Sequence, residues 1–138
     1  IVRPLTLGVR LILVRDGSVV LVRHTYQDFW FLPGGGGDKG GTLEAAARRA
    51  AREETGAQLG ALSLHGVYTN FAEFKNDHVA VFQGTDFTIA PRANSEIAAC
   101  QFFRLDALPP DLAPGHLRRL NEFLQKQNKK FFKKNEEK

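Results

Sequence analysis

The residues best suited to chemistry are two adjacent glutamates, Glu53 and Glu54, near the end of a predicted helix. Neighbouring helical residues point about 100° apart, so the pair does not form a simple ion-pair stripe with one partner. Two nearby carboxylates raise the local negative potential, and their oxygens are the ligands that a hard cation such as Mg²⁺ prefers. Such a cation keeps several waters and bridges to substrate phosphates. The pair therefore predicts a Mg²⁺ site, with Mn²⁺ as the alternative cation.

A glycine-rich segment precedes this helix and supplies the second half of the site. Residues 34–41 contain six glycines together with Asp38 and Lys39, a composition that predicts a loop. Residues without a Cβ atom allow backbone amides and carbonyls to come close to a ligand or a metal. An Arg- and Glu-rich helix end alone is more often solvated surface, and a glycine loop alone is often a connector. Their combination favours a metal and phosphate site.

The helix that carries the two glutamates is predicted from Leu43 to Thr55. Ala, Arg, Glu and Leu dominate the segment, and all four are strong helix formers. Thr42 suits the N-cap position, and Gly56 suits the position just after the last turn. The helix should therefore begin directly after the glycine loop.

The remaining segments predict a sheet on which this helix rests. Two runs rich in Val, Ile and Leu flank an Arg-Asp-Gly turn and predict a hairpin, and a short aromatic run ends at Pro33. Later runs predict three more strands, with a loop at 91–95, and apolar residues at helical spacing predict a closing helix. The predicted strands are 7–14, 18–23, 64–71, 78–87 and 100–105, the aromatic run is 29–32, and the closing helix is 116–125.

These motifs together resemble the box of the Nudix hydrolases, written G-x5-E-x7-R-E-U-x-E-E-x-G-U, where U is a bulky aliphatic residue. Laid on this chain, the box runs from Gly35 to Ala57 and matches at Gly35, Arg49, Glu53, Glu54 and Gly56. The Leu-Pro-Gly-Gly-Gly stretch before it also resembles the family's approach to the box. The resemblance covers nearly the whole chain and implies an α/β fold, an α/β/α sandwich with a mixed β-sheet.

Two positions depart from the box. Gly41 stands where the family has its first glutamate, which generally holds the arginine matched here by Arg49. Ala50 stands where the family has a principal metal ligand, four residues before Glu54 and hence on the same helix face. The resemblance therefore implies a metal cluster with one carboxylate fewer and an arginine without its usual partner.

The resemblance also implies roles for the residues that remain. Glu53, Glu54 and the Gly35 backbone carbonyl are the expected metal ligands, and Glu53, Glu54 and Arg49 are expected to be catalytic. Glu96 lies in a predicted loop, where many members carry a further catalytic or metal-binding glutamate. As a general base it would activate the attacking water. The alternative is that Glu96 is an ordinary loop acid.

Three further residues are candidates for holding the substrate. Gly36 belongs to the glycine loop, and Arg23 and Lys39 could meet phosphate, although basic residues near loops usually meet only water. Three aromatic residues could stack on a nucleobase, although aromatic residues beside a strand usually belong to the core. They are Tyr26, Phe29 and Trp30.

Two functions of different classes fit these residues. The first is a Mg²⁺-dependent pyrophosphohydrolase that cleaves a nucleoside diphosphate linked to another moiety, such as a nucleotide sugar, an ADP-ribose-like compound or a nucleoside triphosphate, with activity weakened by the two missing glutamates. The second is a catalytically silent Nudix module that binds a nucleotide or a partner. The surviving pair of glutamates favours the first, and the two gaps favour the second.

The distribution of charge argues against nucleic acid as a partner. The formal net charge is +4, and six lysines and two glutamates lie in residues 126–138. This tail therefore accounts for the whole net charge, and the rest of the chain is formally neutral, which disfavours a basic groove. The tail is typical of a solvated helix extension or an appended tag.

The 138 residues predict one domain, residues 1–125, followed by the tail. No continuous apolar run is long enough for a membrane, and the first residues lack the order of a secretory signal. We therefore expect a cytoplasmic protein without a membrane partner, and the single cysteine, Cys100, is compatible with a reducing compartment. A nucleotide-type small molecule is the expected ligand. Homodimers are frequent in the family, so the resemblance makes a homodimer one candidate state, while the sequence itself leaves the oligomeric state open.

Overall fold

Two helices lie on opposite faces of a mixed sheet in the computed structural model, which describes residues 5–37, 40–70 and 76–136. The helices are α1 (Leu43–Thr55) and α2 (Pro114–Glu136). The strands are β1 (Leu5–Arg15), β2 (Ser18–His24), β3 (Trp30–Phe31), β4 (Gly34–Gly36), β5 (Gln58–Leu59), β6 (Ser63–Asn70), β7 (Asn76–Gly84), β8 (Phe87–Thr88) and β9 (Ile97–Arg104).

The long strand β1 connects the two halves of the sheet. It pairs in parallel with β7 and antiparallel with β4, and its last residues form the predicted hairpin with β2. Strand β6 lies antiparallel to β7, while β3 and β9 lie antiparallel to β2. Strands β5 and β8 form a separate two-stranded ribbon. Parallel and antiparallel pairs in one sheet confirm the predicted mixed sheet.

Alternation along β1 divides the core into two layers. Successive strand residues point to opposite faces, and Val9, Leu11 and Leu13 accordingly share a buried cluster with the alanines of α1. Ile12 shares a second cluster with Leu120 of α2. The two clusters lie on opposite faces of the sheet, which confirms the predicted α/β/α sandwich.

The structure corrects the prediction of a loop at residues 34–41. Gly34 to Gly36 form β4, which pairs with residues 8–10 of β1. Glycine has a low propensity for strands, so the local composition indicates a loop although the pairing with β1 fixes the backbone in an extended form. The first part of the glycine segment is therefore a strand attached to the centre of the sheet.

Strand boundaries also differ from the prediction. The predicted strand 78–87 is two strands, because β7 ends at Gly84 and β8 begins at Phe87 and pairs with β5 instead. Strand β9 begins at Ile97, three residues before the predicted start. The last residue of the predicted strand 64–71, Phe71, lies outside the described residues.

Helix α1 has the predicted bounds, whereas α2 is longer than predicted. The prediction for α2 was 116–125, but the helix begins at Pro114 and continues to Glu136. Proline suits the first helical position because its missing N–H has no intrahelical acceptor there, and the Lys, Gln and Glu residues of the tail favour helix. Within the described residues, neither helix is long and apolar enough to cross a membrane.

Candidate active site

Helix α1 is fixed at both ends, which sets the position of its last turn. The Thr42 side-chain oxygen accepts a hydrogen bond from the Ala45 N–H at 3.0 Å, as an N-cap does. Gly56 has φ 67° and its N–H donates to the Arg52 carbonyl, and this left-handed conformation favours glycine. Because both caps are in place, Glu53 and Glu54 occupy a well-defined turn beside β4.

The glycine strand and the helix are joined by side chains of the box. The Gly34 N–H donates to Oε2 of Glu54 at 2.9 Å. Nη2 of Arg49 donates to the Gly36 carbonyl at 3.4 Å, and its Nε lies 3.8 Å from Oε1 of Glu53. Arg49 therefore contacts the glycine strand and Glu53. Its usual partner in the family, the first box glutamate, is replaced here by Gly41.

An open cleft of about 620 Å³ lies where the glycine strand, the end of α1 and the segment before β9 meet. Most of the candidate site residues predicted from the sequence line this cleft. These are Gly35, Gly36, Arg49, Glu53, Glu54 and Glu96. The structure therefore brings the predicted metal ligands, the predicted base and two loop glycines to one cavity.

Glu54 is the least exposed of the three carboxylates that line the cleft. Its side chain is 11% exposed, and burial raises its pKa to about 7, because the charged form loses hydration. The Gly34 N–H and the Arg10 guanidinium lower the pKa of this carboxyl, whereas Glu53 and Glu96 raise it. A carboxylate in this environment gains from any additional positive charge in the cleft.

Glu53 lies beside Glu54 in a more solvated environment. Its side chain is 65% exposed and forms an i,i+4 pair with Arg49. Exposed pairs of this kind contribute little to stability. Glu53 can therefore turn toward a cation at small energetic cost, while Glu54 is held in place.

Glu96 reaches the cleft from a structured turn in the predicted loop. The Asn94 side-chain oxygen accepts hydrogen bonds from the Glu96 N–H at 2.8 Å and from the Ile97 N–H at 2.7 Å. The Glu96 carbonyl accepts from the Thr25 N–H at 2.9 Å. These bonds fix the backbone of Glu96 while its side chain stays exposed.

Two residues at the site were missed by the sequence interpretation. Nε2 of His24 lies 3.8 Å from Oε1 of Glu54, and burial followed by the charge of Arg10 lowers the pKa of His24. Nη1 of Arg10 donates to the Leu32 carbonyl at 2.9 Å. An arginine within the otherwise apolar run of β1 was the available signal, since such a charge needs a reason to be there.

Arg23 and Lys39 are the two remaining candidates for contact with phosphate. Arg23 lies with its guanidinium carbon 5.3 Å from the centroid of the Trp30 ring. Trp30 is 7% exposed and belongs to the core cluster on the α2 side. Lys39, the other predicted phosphate contact, lies outside the described residues. Burial raises the pKa of the Cys100 thiol to about 11, which makes it a poor nucleophile.

The donor set suits a divalent cation that the substrate helps to hold. Within the described ranges, no group of three or more His, Cys, Asp or Glu side chains is arranged to hold a metal. Glu53, Glu54 and the Gly35 carbonyl can supply oxygen ligands, and Mg²⁺ is often bound by one or two carboxylates together with substrate phosphates. Ala50 is 6% exposed and places a methyl group in the cleft one turn before Glu54. The cation would therefore be held by fewer protein oxygens than the box provides.

A family model, a curated protein and solved structures that match this chain all indicate the same family. Residues 4–124 match the model of the NUDIX domain. The chain is 28% identical over 113 residues to a Bacillus subtilis (strain 168) protein named "Putative 8-oxo-dGTP diphosphatase", an alignment that covers 82% of this chain and 75% of that protein.

Solved structures agree with this match. A MutT NUDIX hydrolase from Burkholderia pseudomallei superposes with a TM-score of 0.77 at 27% identity, covering 86% of this chain and 98% of that one. A UDP-X diphosphatase superposes with a TM-score of 0.67 at 27% identity, covering 90% of this chain and 64% of that one. Because the domain model spans most of the sequence, the chain belongs to the NUDIX domain family, and the relatives that it matches carry hydrolase or diphosphatase names.

Proposed function

We propose that the chain is a divalent-cation-dependent pyrophosphohydrolase of a nucleoside diphosphate linked to another moiety, with turnover weakened by Gly41 and Ala50. Nucleotide sugars, ADP-ribose-like compounds and nucleoside triphosphates all fit this description. The relatives named for 8-oxo-dGTP and UDP-X support a nucleotide-type substrate. A cytoplasmic location stays a prediction from the sequence, and a homodimer stays one candidate state.

The observation that carries this proposal is the position of Glu54. Its carboxylate is largely buried and accepts the Gly34 N–H, and it lines the same cleft as Glu53, Glu96 and the glycine strand. Burying a carboxylate without a full countercharge costs stability. A cation bound together with a diphosphate in the cleft would supply that countercharge, which accounts for a buried carboxylate at this position.

The residues that line the cleft have different roles in the proposed hydrolysis. A bound Mg²⁺ would neutralise phosphate charge and lower the pKa of water. The backbone of Gly35 and Gly36 lets the diphosphate approach closely, because open space surrounds the positions where their Cβ atoms would be. Arg49 holds the Gly36 carbonyl and so positions the glycine strand. Glu53 and Glu54 would supply oxygen ligands to this cation.

Glu96 is the general base of this proposal. Water attacks one phosphorus, the bond from that phosphorus to the bridging oxygen breaks, and the bridging oxygen leaves with its electron pair on the second phosphate. The proton of the water goes to the Glu96 carboxylate, which lines the cleft with an exposed side chain. His24, 3.8 Å from Glu54, contributes to the polar wall between these groups.

A silent binding module is the second candidate, and Ala50 is the observation that favours it. The methyl group of Ala50 is buried in the cleft where a box glutamate would point. A cation held by one carboxylate fewer binds more weakly, because each lost ligand removes a strong charge interaction. The fold and the glycine strand would still bind a nucleotide.

The test restores the two glutamates. The unmodified chain and the variant Gly41→Glu with Ala50→Glu are assayed for Mg²⁺-dependent release of phosphate or nucleotide over a panel of nucleoside diphosphate derivatives. Loss of a catalytic charge commonly costs on the order of 10²–10³ in rate, so we expect low turnover by the chain and at least a hundredfold gain in the variant. Glu54→Gln in both backgrounds is the matched control and should abolish the gain.

The outcomes separate the two candidate functions. Equal and substantial rates with and without the two glutamates would contradict the weakened-enzyme proposal. Absence of turnover in both, with measurable nucleotide binding, would favour the silent module.

A further inference from the structure

A second polar pocket lies on the α2 side of the sheet. It encloses about 260 Å³, and three arginines line it, Arg10 from β1 and Arg118 and Arg119 from the beginning of α2. His116 and Asp77 line it as well. We refer to these five residues as the arginine pocket. Of its described lining residues, Asp77 carries the opposing charge, and the hydroxyl of Thr6 donates to it.

The position of Arg10 follows from the alternation of β1. Ile12, two residues later, belongs to the cluster under α2, and residues two apart in a strand share a face. Nη1 of Arg10 donates to the Leu32 carbonyl at 2.9 Å. Its guanidinium has lost most of its hydration, and this burial lowers its pKa, although the charge of Glu54 acts in the opposite direction. A partly dehydrated cation of this kind favours a neighbouring anion.

The other arginines are oriented by α2 and its neighbours. Nη1 of Arg119 donates to the Gly115 carbonyl at 3.2 Å, and its guanidinium carbon lies 4.2 Å from the centroid of the Tyr68 ring. Burial first, and then the charges of Arg10 and Arg119, lower the pKa of His116 to about 3. Arg10 and Arg119 come from different elements, and both line the same pocket as the His116 ring.

Like charges held together in a partly buried space repel one another, and an anion between them removes that cost. The planar guanidinium group presents paired donors whose spacing matches phosphate oxygens. Nδ1 of His116 accepts the Leu32 N–H at 2.9 Å, so the neutral ring carries its proton on Nε2 and adds another donor. The first turn of α2 contributes a smaller positive potential.

We propose that the arginine pocket binds a phosphate group separate from the diphosphate of the catalytic cleft. Arg10 lies between the two places, because it also lines a depression of about 470 Å³ that shares His24, Gly34, Gly35 and Glu96 with the cleft. The phosphate comes either from the distal end of the substrate or from free phosphate in solution. The first source rests on the proposed function and narrows its substrates to those with an additional phosphate monoester.

The direct test measures binding of inorganic phosphate by calorimetry without divalent cations. Arg118→Gln with Arg119→Gln removes two charges from the pocket. Lys129→Gln with Lys130→Gln is the matched control, because it makes the same change of charge on exposed residues of the same helix. Charge-assisted hydrogen bonds are strong enough that we expect the arginine variant to bind phosphate at least about tenfold more weakly, and the lysine variant to stay within about twofold of the unmodified chain.

The single variant Arg118→Gln guards against a loss of folding. Arg118 is exposed, whereas Arg119 packs on Tyr68, so the single change leaves that contact intact. We expect an intermediate loss of phosphate affinity with an unchanged thermal midpoint. Equal phosphate affinity in all four proteins, or no saturable binding to the unmodified chain, would overturn the proposal.

A second measurement distinguishes the two sources of phosphate. The equilibrium affinities of ADP-ribose and of its 2′-phosphate are compared in Mg²⁺ buffer. If the substrate supplies the phosphate, the 2′-phosphate binds about tenfold more tightly, and this preference disappears when both arginines are changed. If free phosphate is the ligand, the two compounds bind alike while the phosphate titration still depends on the arginines. Both measurements record binding, so they test the pocket even if hydrolysis fails.

Discussion

Glu54 is subject to two opposing demands. A cation requires a charged carboxylate, but the position of Glu54 between β4 and the end of α1 removes most of its water. Its folded-state pKa, about 7, therefore lies above the usual value of 4.5. The stability that the protonated form contributes is present below pH 4.5 and is lost as the pH rises through 7. Above pH 7 the free protein is destabilised by this charge.

Replacement of Glu54 by Gln should stabilise the metal-free protein at alkaline pH. The Gln carbonyl can still accept the Gly34 N–H, and the buried charge is gone. We expect the free energy of unfolding at pH 8 to rise by about 1–3 kcal/mol, and to be unchanged or slightly lower at pH 4.5. Urea unfolding at the two pH values measures this difference.

Glu53→Gln is the control for that prediction. Glu53 is 65% exposed, so its replacement should change stability by less than about 0.5 kcal/mol at either pH. A Glu54→Gln protein that is less stable than the unmodified chain at pH 8 would show that the Arg10 interaction outweighs the loss of hydration.

The sequence could predict the residues of the box but not the residues that approach from elsewhere. Glu53, Glu54, Gly35 and Arg49 lie within one continuous segment whose spacing is readable. Arg10 and His24 come from β1 and β2, and their proximity to Glu54 depends on which strands pair and in which register. Such pairing is a tertiary property, so local patterns do not contain it.

At the scale of elements, β4 connects the catalytic helix to the sheet. Its pairing with residues 8–10 of β1 requires a very close approach at Gly34, where an added Cβ would lie 2.6 Å from Cδ of Arg10 and 2.9 Å from its Cα. At Gly35 an added Cβ would meet nothing within 4 Å. Packing of β4 against β1 therefore requires glycine at position 34 but does not require it at position 35.

Gly34→Ala should destabilise the protein, and Gly35→Ala should not. The added methyl at Gly34 pushes β4 away from β1, and overpacking of this kind costs about 1–3 kcal/mol or more. At Gly35 the change in unfolding free energy should stay within about 1 kcal/mol, while the methyl group enters the cleft and weakens nucleotide binding. Thermal unfolding and nucleotide titration of both variants give the comparison. Equal stability of the two variants would contradict the close packing of β4 on β1.

Element boundaries were predictable where local chemistry decides them. Helix α1 has its cap residues in the sequence, and its bounds were predicted correctly. Strand β4 was missed because its pairing partner, and not its composition, makes it extended. The closing helix is predicted to end at Gln125, where the apolar spacing stops, but the tail continues it by intrinsic propensity, which agrees with the interpretation of the tail as a helix extension.

On the scale of the whole molecule, both helices hold the same short stretch of backbone. Nδ1 of His116 in α2 accepts the Leu32 N–H, Glu54 in α1 accepts the Gly34 N–H, and Arg10 from the sheet donates to the Leu32 carbonyl. Residues 32–34 therefore connect the α2 layer, the sheet and the α1 layer. The protonation states of Glu54 and His116 therefore bear directly on the hydrogen bonds of this stretch.

His116 makes this connection sensitive to acid. Burial lowers its folded-state pKa from 6.5 to about 3, so unfolding takes up a proton between these values and its contribution to stability is lost as the pH falls below 6.5. His116→Asn keeps an acceptor for the Leu32 N–H and removes the titration. Between pH 7 and pH 4.5 the unmodified chain should therefore lose about 1–3 kcal/mol more stability than the Asn variant. Glu54 acts in the opposite sense over the same range, so urea unfolding is best compared in the Glu54→Gln background, where the Asn variant should show the flatter profile. Parallel profiles in that background would mean that His116 binds protons equally well in the folded and unfolded chains.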